Sequence, residues 1–194
     1  SETWDGTSWT EVANVNTARI LVAGAGISTS AIIFAGGPGG AELAITEFWN
    51  GTSWTEVADL AGGRKNTTGS GTATLGLAAG GGTNPTAVAT EEFTAGGIGD
   101  TIKNEGQVYY NSTAGTMNIS ALVYGTGSWA SGGALNTARG DLAAAGTQTA
   151  GLAFGGDKLP GAANESEEYN GTSWVEGNNL NEARSALASA GTVS

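Results

Sequence analysis

Short apolar runs separated by glycine-rich or Asn/Asp-Gly turns divide this chain, and no stretch sustains a helical period. In one segment Arg19–Gly24 reads as a strand, and Thr29–Phe34 as a second that ends on Gly36-Gly37. Leu43–Trp49 reads as a third strand and Ser53–Val57 as a fourth. Asn50-Gly51 and Asn170-Gly171 fall between strand-like runs and predict hairpins with type I′ turns, which need φ > 0 at both central residues. A helix over 137–145 is disfavoured, because Gly140 and Gly146 interrupt it. The expectation is an all-β chain.

The same pattern returns. Aromatic-x-Gly-x-Ser-Trp occurs at Trp4–Trp9, Trp49–Trp54, Tyr124–Trp129 and Tyr169–Trp174. Its second Trp advances by 45, 75 and 45 residues, and so do Arg19, Arg64, Arg139 and Arg184. Glu2, Glu47, Glu92 and Glu167 recur as well, which places an extra segment at about 94–123. The units expected are a partial one at 1–16, then 17–60, 61–135 carrying the insert, 136–180, and a partial one at 181–194.

An apolar strand ending in a double glycine, then an aromatic, then a Trp, resembles the kelch repeat. Gly36-Gly37, Gly80-Gly81 and Gly155-Gly156 supply the glycines, and the four aromatic-x-Gly-x-Ser-Trp motifs the rest. What the resemblance implies is a kelch-like β-propeller of about four four-stranded units of about 45 residues, incomplete at its ends, with one inserted β-hairpin. Incomplete closure would leave strand edges that need a partner.

Composition narrows the function. With 34 Gly but only 3 Pro, and hydrophobic residues at 39%, the chain is neither collagen-like nor a disordered linker. A net charge of −11 with 7 Lys and Arg argues against nucleic acid and against anionic membranes as partners. No apolar run approaches the ~18 residues of a membrane-spanning helix, so no membrane insertion is expected. The absence of Cys and His removes thiolate chemistry, a Ser-His-Asp triad and the copper site of galactose oxidase, itself a kelch-type propeller. No Walker lysine, G-x-S-x-G or EF-hand loop occurs. The expectation is a non-enzyme, with no catalytic, cofactor-binding or metal-binding residues and no cofactor.

The recurrent Arg and Trp admit two readings. Four guanidinium groups at one phase suit a ring that binds a carboxylate or a sulfated sugar, or one Arg–Glu pair within each unit; recurrence in every unit favours the pair. Exposed Trp stacks on sugars, but one per unit at constant phase suits packing between units. Asn-Gly-Thr-Ser-Trp is similar to the Asp-box of sialidases, but Asp5-Gly6 and Asn50-Gly51 are adjacent where the Asp-box has an intervening residue.

The repeat leaves 106–124 unexplained. It reads as a hairpin with strands at about 107–111 and 116–124, and Tyr109, Tyr110 and Asn111 are its candidate partner-binding residues. Gly106–Thr113, Asn136–Arg139 and Ala145–Ala150 resemble phrases in structural and fibre proteins of marine bacteriophages. That likeness implies a virion protein of tail-fibre or spike type, self-associating or bound to neighbouring virion proteins, with a host-surface glycan as a further ligand. The alternative is a secreted bacterial carbohydrate-binding or adhesion module at the cell surface.

Overall fold

A computed structural model of the chain describes residues 1–82, 88–96, 108–111, 115–119 and 125–191. All regular structure among them is β, and all pairings between strands are antiparallel. A hairpin of β1 (Glu2–Trp4) and β2 (Trp9–Glu11) comes first. Sheet one follows, with β3 (Ala23–Ile27), β4 (Ser30–Phe34), β5 (Thr46–Trp49) and β6 (Trp54–Val57) side by side in chain order. Sheet two begins with β7 (Thr68–Gly71), β8 (Leu75–Ala79) and β9 (Thr90–Gly96). A separate hairpin, β10 (Val108–Asn111) with β11 (Thr116–Ile119), then precedes its last strand, β12 (Gly125–Ser131). Sheet three contains β13 (Ala143–Thr147) and β14 (Ala150–Phe154). After the small hairpin β15 (Asp157–Lys158) and β16 (Gly161–Ala162), it is completed by β17 (Ser166–Tyr169) and β18 (Trp174–Glu176).

The first strand of the unit differs from the expected Arg19–Gly24. It starts at Ala23, because Leu21 is left-handed at φ 58° and Ile20 bridges Gly37 instead of entering the ladder. Gly24-Ala-Gly26 lies inside the strand, where small residues let neighbouring sheets approach. A Cβ on Gly69 of β7 would collide with the carbonyl oxygen of Gly24 in β3. Strand β7 accordingly lies beside both β3 and β13, so the first strands of the three sheets stand together.

The turns depart from type I′ as well. Gly6, Gly51 and Gly171 have positive φ, while Asp5, Asn50 and Asn170 do not. The side chain of each Asp or Asn instead accepts hydrogen bonds from two amides ahead of it. Thr52 and Ser53 donate to Asn50 Oδ1, both at 2.9 Å. Thr172 and Ser173 donate to Asn170 Oδ1, and Thr7 and Ser8 to Asp5 Oδ1. These amides, Ser8 first and then Thr7, hold the Asp5 carboxyl below the usual range. In sheet two the insert takes the place of this turn between β9 and β12, with a register shift between Gly125 and Ser128.

Side chains from facing sheets form the core. Ile32, Phe34 and Phe48 of sheet one pack with Ala78 and Phe93 of sheet two, and Trp129 joins them. Leu77 and Ala79 of sheet two pack with Ala153, Tyr169 and Trp174 of sheet three. Strand β8 therefore buries both faces, from Gly76 to Ala79. Every Å² of apolar surface removed from water contributes about 25 cal/mol, so these two contacts are the main favourable term in holding the sheets together.

A backbone latch repeats at each step. Gly36 donates to the carbonyl of Arg64 at 2.8 Å, Gly81 to Arg139 at 3.3 Å and Gly156 to Arg184 at 2.9 Å. The preceding Ala35, Gly80 and Gly155 donate to β5-, β9- and β17-side carbonyls of Ile45, Ala89 and Glu165. All six residues have positive φ, so the unit's double glycine in sheet one is structurally Ala35-Gly36 and not Gly36-Gly37.

Candidate functional site

Three of the four repeat arginines are spent on structure. Arg19 Nη1 meets Glu47 at 2.5 Å, Arg64 Nη2 meets Glu91 at 2.5 Å and Arg139 Nη2 meets Glu167 at 2.7 Å, all six side chains being less than a tenth exposed. Each glutamate also caps the loop before its arginine. Glu47 accepts from the amides of Asn16 and Thr17, Glu167 from those of Asn136 and Thr137, and Glu91 from that of Ala61. Burial pushes the Glu47 carboxyl up, but the Arg19 hydrogen bond, the two amides and the Arg19 charge outweigh it and hold the group below the usual carboxylate range. Burial lowers Arg64 against the opposing pull of Glu91.

Sheet two corrects the expected glutamate. Glu91, not Glu92, stands where Glu47 and Glu167 stand, and Phe93 pairs with Trp129 across the strands as Trp49 pairs with Trp54 and Tyr169 with Trp174. Tyr124, the expected aromatic of that motif, lies outside the described residues. Glu92 faces the next sheet and accepts the Tyr169 hydroxyl at 2.6 Å. Burial first, and this bond second, push the Tyr169 phenol up to about 12.

The tryptophans of the last strands of sheets two and three sit between sheets. Trp129 Nε1 donates to Thr46 Oγ1 of sheet one at 3.1 Å, and Trp174 Nε1 to Thr90 Oγ1 of sheet two at 3.0 Å. Trp4 and Trp9 of the lone hairpin are the exception, 47% and 64% exposed. They line a cleft of about 330 Å³ with Trp49 and Trp54.

Two clefts carry the polar chemistry that is not absorbed by the repeat. One, of about 160 Å³, is lined by Leu21, Asn66, Asp141 and Ala186 and by the residue after each. Each of these four follows a repeat arginine by two positions and is left-handed, at φ 58°, 58°, 49° and 52°. Four equivalent backbone positions from four units thus meet at one cavity, joined in part by Asp141 N–H to Asn66 O and Ala186 N–H to Asp141 O, both 3.1 Å. The second cleft, of about 300 Å³, lies between Asn66, Asp141, Asp157, Lys158, Leu159 and Pro160. Burial, and then the charge of Asp157, raise the Asp141 carboxyl, whose Oδ2 accepts from Asn66 Nδ2 at 3.2 Å. Lys158 is engaged by Glu165, so this cleft offers carboxylate oxygens to a donor-rich ligand such as a polyol.

The candidate hairpin forms. Tyr109, Tyr110 and Asn111 stand in β10 opposite Asn118, Met117 and Thr116, while their side chains and residues 112–114 lie outside the described residues. Met117 on the opposing strand is 67% exposed. Among the described residues no three acidic side chains converge as metal ligands. Neither protein-family models nor curated protein sequences match this chain.

The four left-handed positions had no sequence signal, since Leu, Asn, Asp and Ala share no side-chain property. The one cue was their fixed offset of two from a repeat arginine.

Proposed function

We propose that the chain is a non-catalytic structural protein of a bacteriophage virion, of tail-fibre or spike type, whose kelch-like propeller holds a binding surface rigid. The observation that carries this reading is the consumption of the recurrent polar side chains by the scaffold. Three buried Arg–Glu pairs and two Trp–Thr bonds, one buried and one half-buried, join strands and sheets, and none of these groups is left to do chemistry on a substrate. The cavity where equivalent residues of four units meet supports a propeller-like arrangement about one axis. The hairpin β10–β11 replaces a tight turn at the rim of sheet two and is the segment free to carry specificity. The virion assignment rests on the phage-like phrases around 106–113, 136–139 and 145–150.

A test is adsorption of the labelled chain to intact bacteria of a host panel, compared with a variant in which 97–124 is replaced by Asn-Gly-Thr. Adsorption lost in the variant, with unchanged thermal stability and no turnover on a panel of glycosides, is expected. Turnover on that panel overturns the non-catalytic reading. The exposed Trp4–Trp9 pair favours a second reading, a secreted carbohydrate-binding module. Glycan-array binding that is lost in Trp9→Ala while bacterial adsorption persists would select it.

A further inference from the structure

We propose that the cleft beside Ala61-Gly62-Gly63 is a binding site for a neutral sugar that carries an acetamido group. The inference rests on the non-catalytic binding reading above, but not on the virion assignment or on the hairpin β10–β11.

An internal departure from the repeat makes this cleft. Before the arginines of sheets one and three stand Asn16-Thr17-Ala18 and Asn136-Thr137-Ala138, whereas sheet two has Ala61-Gly62-Gly63. Both asparagines donate to the fourth strand, Asn16 Nδ2 to Trp54 O at 3.1 Å and Asn136 Nδ2 to Trp174 O at 2.9 Å. Ala61 has no amide side chain to give to Trp129 at the same phase. Each guanidinium also donates to the threonine carbonyl, Arg19 Nη1 to Thr17 at 3.1 Å and Arg139 Nε to Thr137 at 3.4 Å. Arg64 reaches Ala89 O and Glu91 but not Gly62 O, and its buried Nε has no partner. Arg19 Nε is unpaired too, yet Arg19 keeps the carbonyl bond that Arg64 lacks. Glu91 in turn accepts one loop amide, where Glu47 and Glu167 each accept two.

The space those side chains would fill is open. A Cβ on Gly62 would meet no atom within 4 Å, and its φ is not left-handed. The cleft holds about 500 Å³, within the roughly 300–1,000 Å³ of small-molecule sites, and Gly62, Gly81 and Gly132 line it with main chain. Its two charged side chains, Arg64 and Glu91, neutralise each other, so an ionic ligand would lose its hydration with nothing to offset the loss. The Arg64 side chain is less than a tenth exposed, and its Nε is a donor without an acceptor, suited to a neutral oxygen. Relative to its counterparts the loop lacks a carboxamide, a hydroxyl and methyl groups. An acetamido sugar brings all three kinds in one neutral body. Its carbonyl oxygen accepts from Arg64 Nε, its hydroxyls meet the Ser131 hydroxyl, and its methyl covers Ala89 and Ala134.

The test is titration of the isotope-labelled chain with N-acetylglucosamine and, separately, with glucose, followed by the amide shifts in NMR spectra. N-acetylglucosamine is expected to shift the amides of Gly62, Gly63 and Gly132, and to bind about tenfold more tightly than glucose, which lacks the acetamido group. Ala61→Asn combined with Gly62→Thr restores the repeat and refills the cleft. It is expected to weaken binding by about tenfold or more while raising the melting temperature, because the new carboxamide reaches the Trp129 carbonyl. Gly63 stays unchanged, since a Cβ there would collide with the Glu42 carbonyl oxygen. Ala134→Leu narrows the cleft without touching this loop and is expected to lose binding with an unchanged melting temperature. No binding of N-acetylglucosamine overturns the proposal, as do shifts gathered at Trp4 and Trp9 or binding that neither variant weakens. Equal affinity for glucose overturns the ligand class. Replacing 97–124 by Asn-Gly-Thr separates this cleft from the hairpin. Binding kept there supports the cleft whatever becomes of bacterial adsorption, and binding lost there assigns the ligand to the hairpin and overturns the proposal.

Discussion

The indole of Trp174 in sheet three donates to the hydroxyl of Thr90 in sheet two across 3.0 Å, 84 residues away in the chain. Trp129 does the same to Thr46. Thr90→Val keeps the shape and removes the acceptor, leaving a buried N–H unpaired. A loss of about 1–3 kcal/mol is expected in urea denaturation. A smaller loss from Trp174→Phe than from Thr90→Val would show that the orphaned donor, and not the missing bond, sets the cost.

Arg139 has the fullest set of partners among the repeat arginines. Its Nη1 donates to the carbonyls of Gly155 and Glu165 at 2.9 and 2.7 Å, and its Nη2 to Glu167. Arg139→Ala strands a buried carboxylate and three loop groups, and is expected to cost about 3–5 kcal/mol. Arg184→Ala at the same phase is expected to change the stability of the isolated chain by no more than about 0.5 kcal/mol. Equal losses at the two sites in thermal melts would contradict the buried side-chain partners of Arg139 as the reason for the difference.

The period of 45, the insert and the strand content were legible because Arg, Trp and Asn-Gly each mark a backbone landmark that only a few residues satisfy. The register in sheet two was not. Glu91 and Glu92 are adjacent and chemically alike, and a slip of one residue moves a side chain to the other face, so Glu92 faces Tyr169 and not Arg64. Ala35 hid half of the double glycine, because its φ of 62° is imposed by the latch around it and not by its own preference. The start of β3 was misplaced for a similar reason. Ile20, Leu21 and Val22 look like strand residues, yet all three are largely exposed and sit in the turn that presents Arg19. The Asp141–Asp157 cleft is made by residues that are brought together by that same bend and the β15–β16 hairpin, which no motif announces.

Asp141 gives a pH signature. Its carboxyl is raised above 3.8 by burial and by Asp157, so the fold favours the protonated form. The resulting cost is absent well below pH 3.8 and grows as pH rises through the folded-state value. Asp141→Asn keeps an acceptor for Asn66 and tolerates the left-handed backbone. It is expected to raise the melting temperature at neutral pH and to lose that advantage in acid. Glu47 works in the opposite sense: lowered from 4.5, it adds stability above that pH which disappears as pH falls through the folded value. A gain from Asp141→Asn that is the same at both pH values would assign the effect to packing.

Tyr169 should be visible by ultraviolet titration. Of 4 tyrosines, its phenol is expected to ionise only near about 12, and Tyr169→Phe should remove that late component. Stability from the Tyr169–Glu92 bond is complete below pH 10.0 and is lost as pH rises toward about 12. A titration in which every phenol ionises near 10.0 would mean that the contact between sheets two and three opens first.

Leu21, Asn66, Asp141 and Ala186 hold one backbone geometry with four unlike side chains. Main-chain hydrogen bonds fix these positions, so what the side chains are is left open. The lining of this small cavity is therefore a place where side chains can be changed, by mutation or by design, while the frame stays the same. Glycine and asparagine are the cheapest substitutions there, because they enter left-handed backbone at least cost.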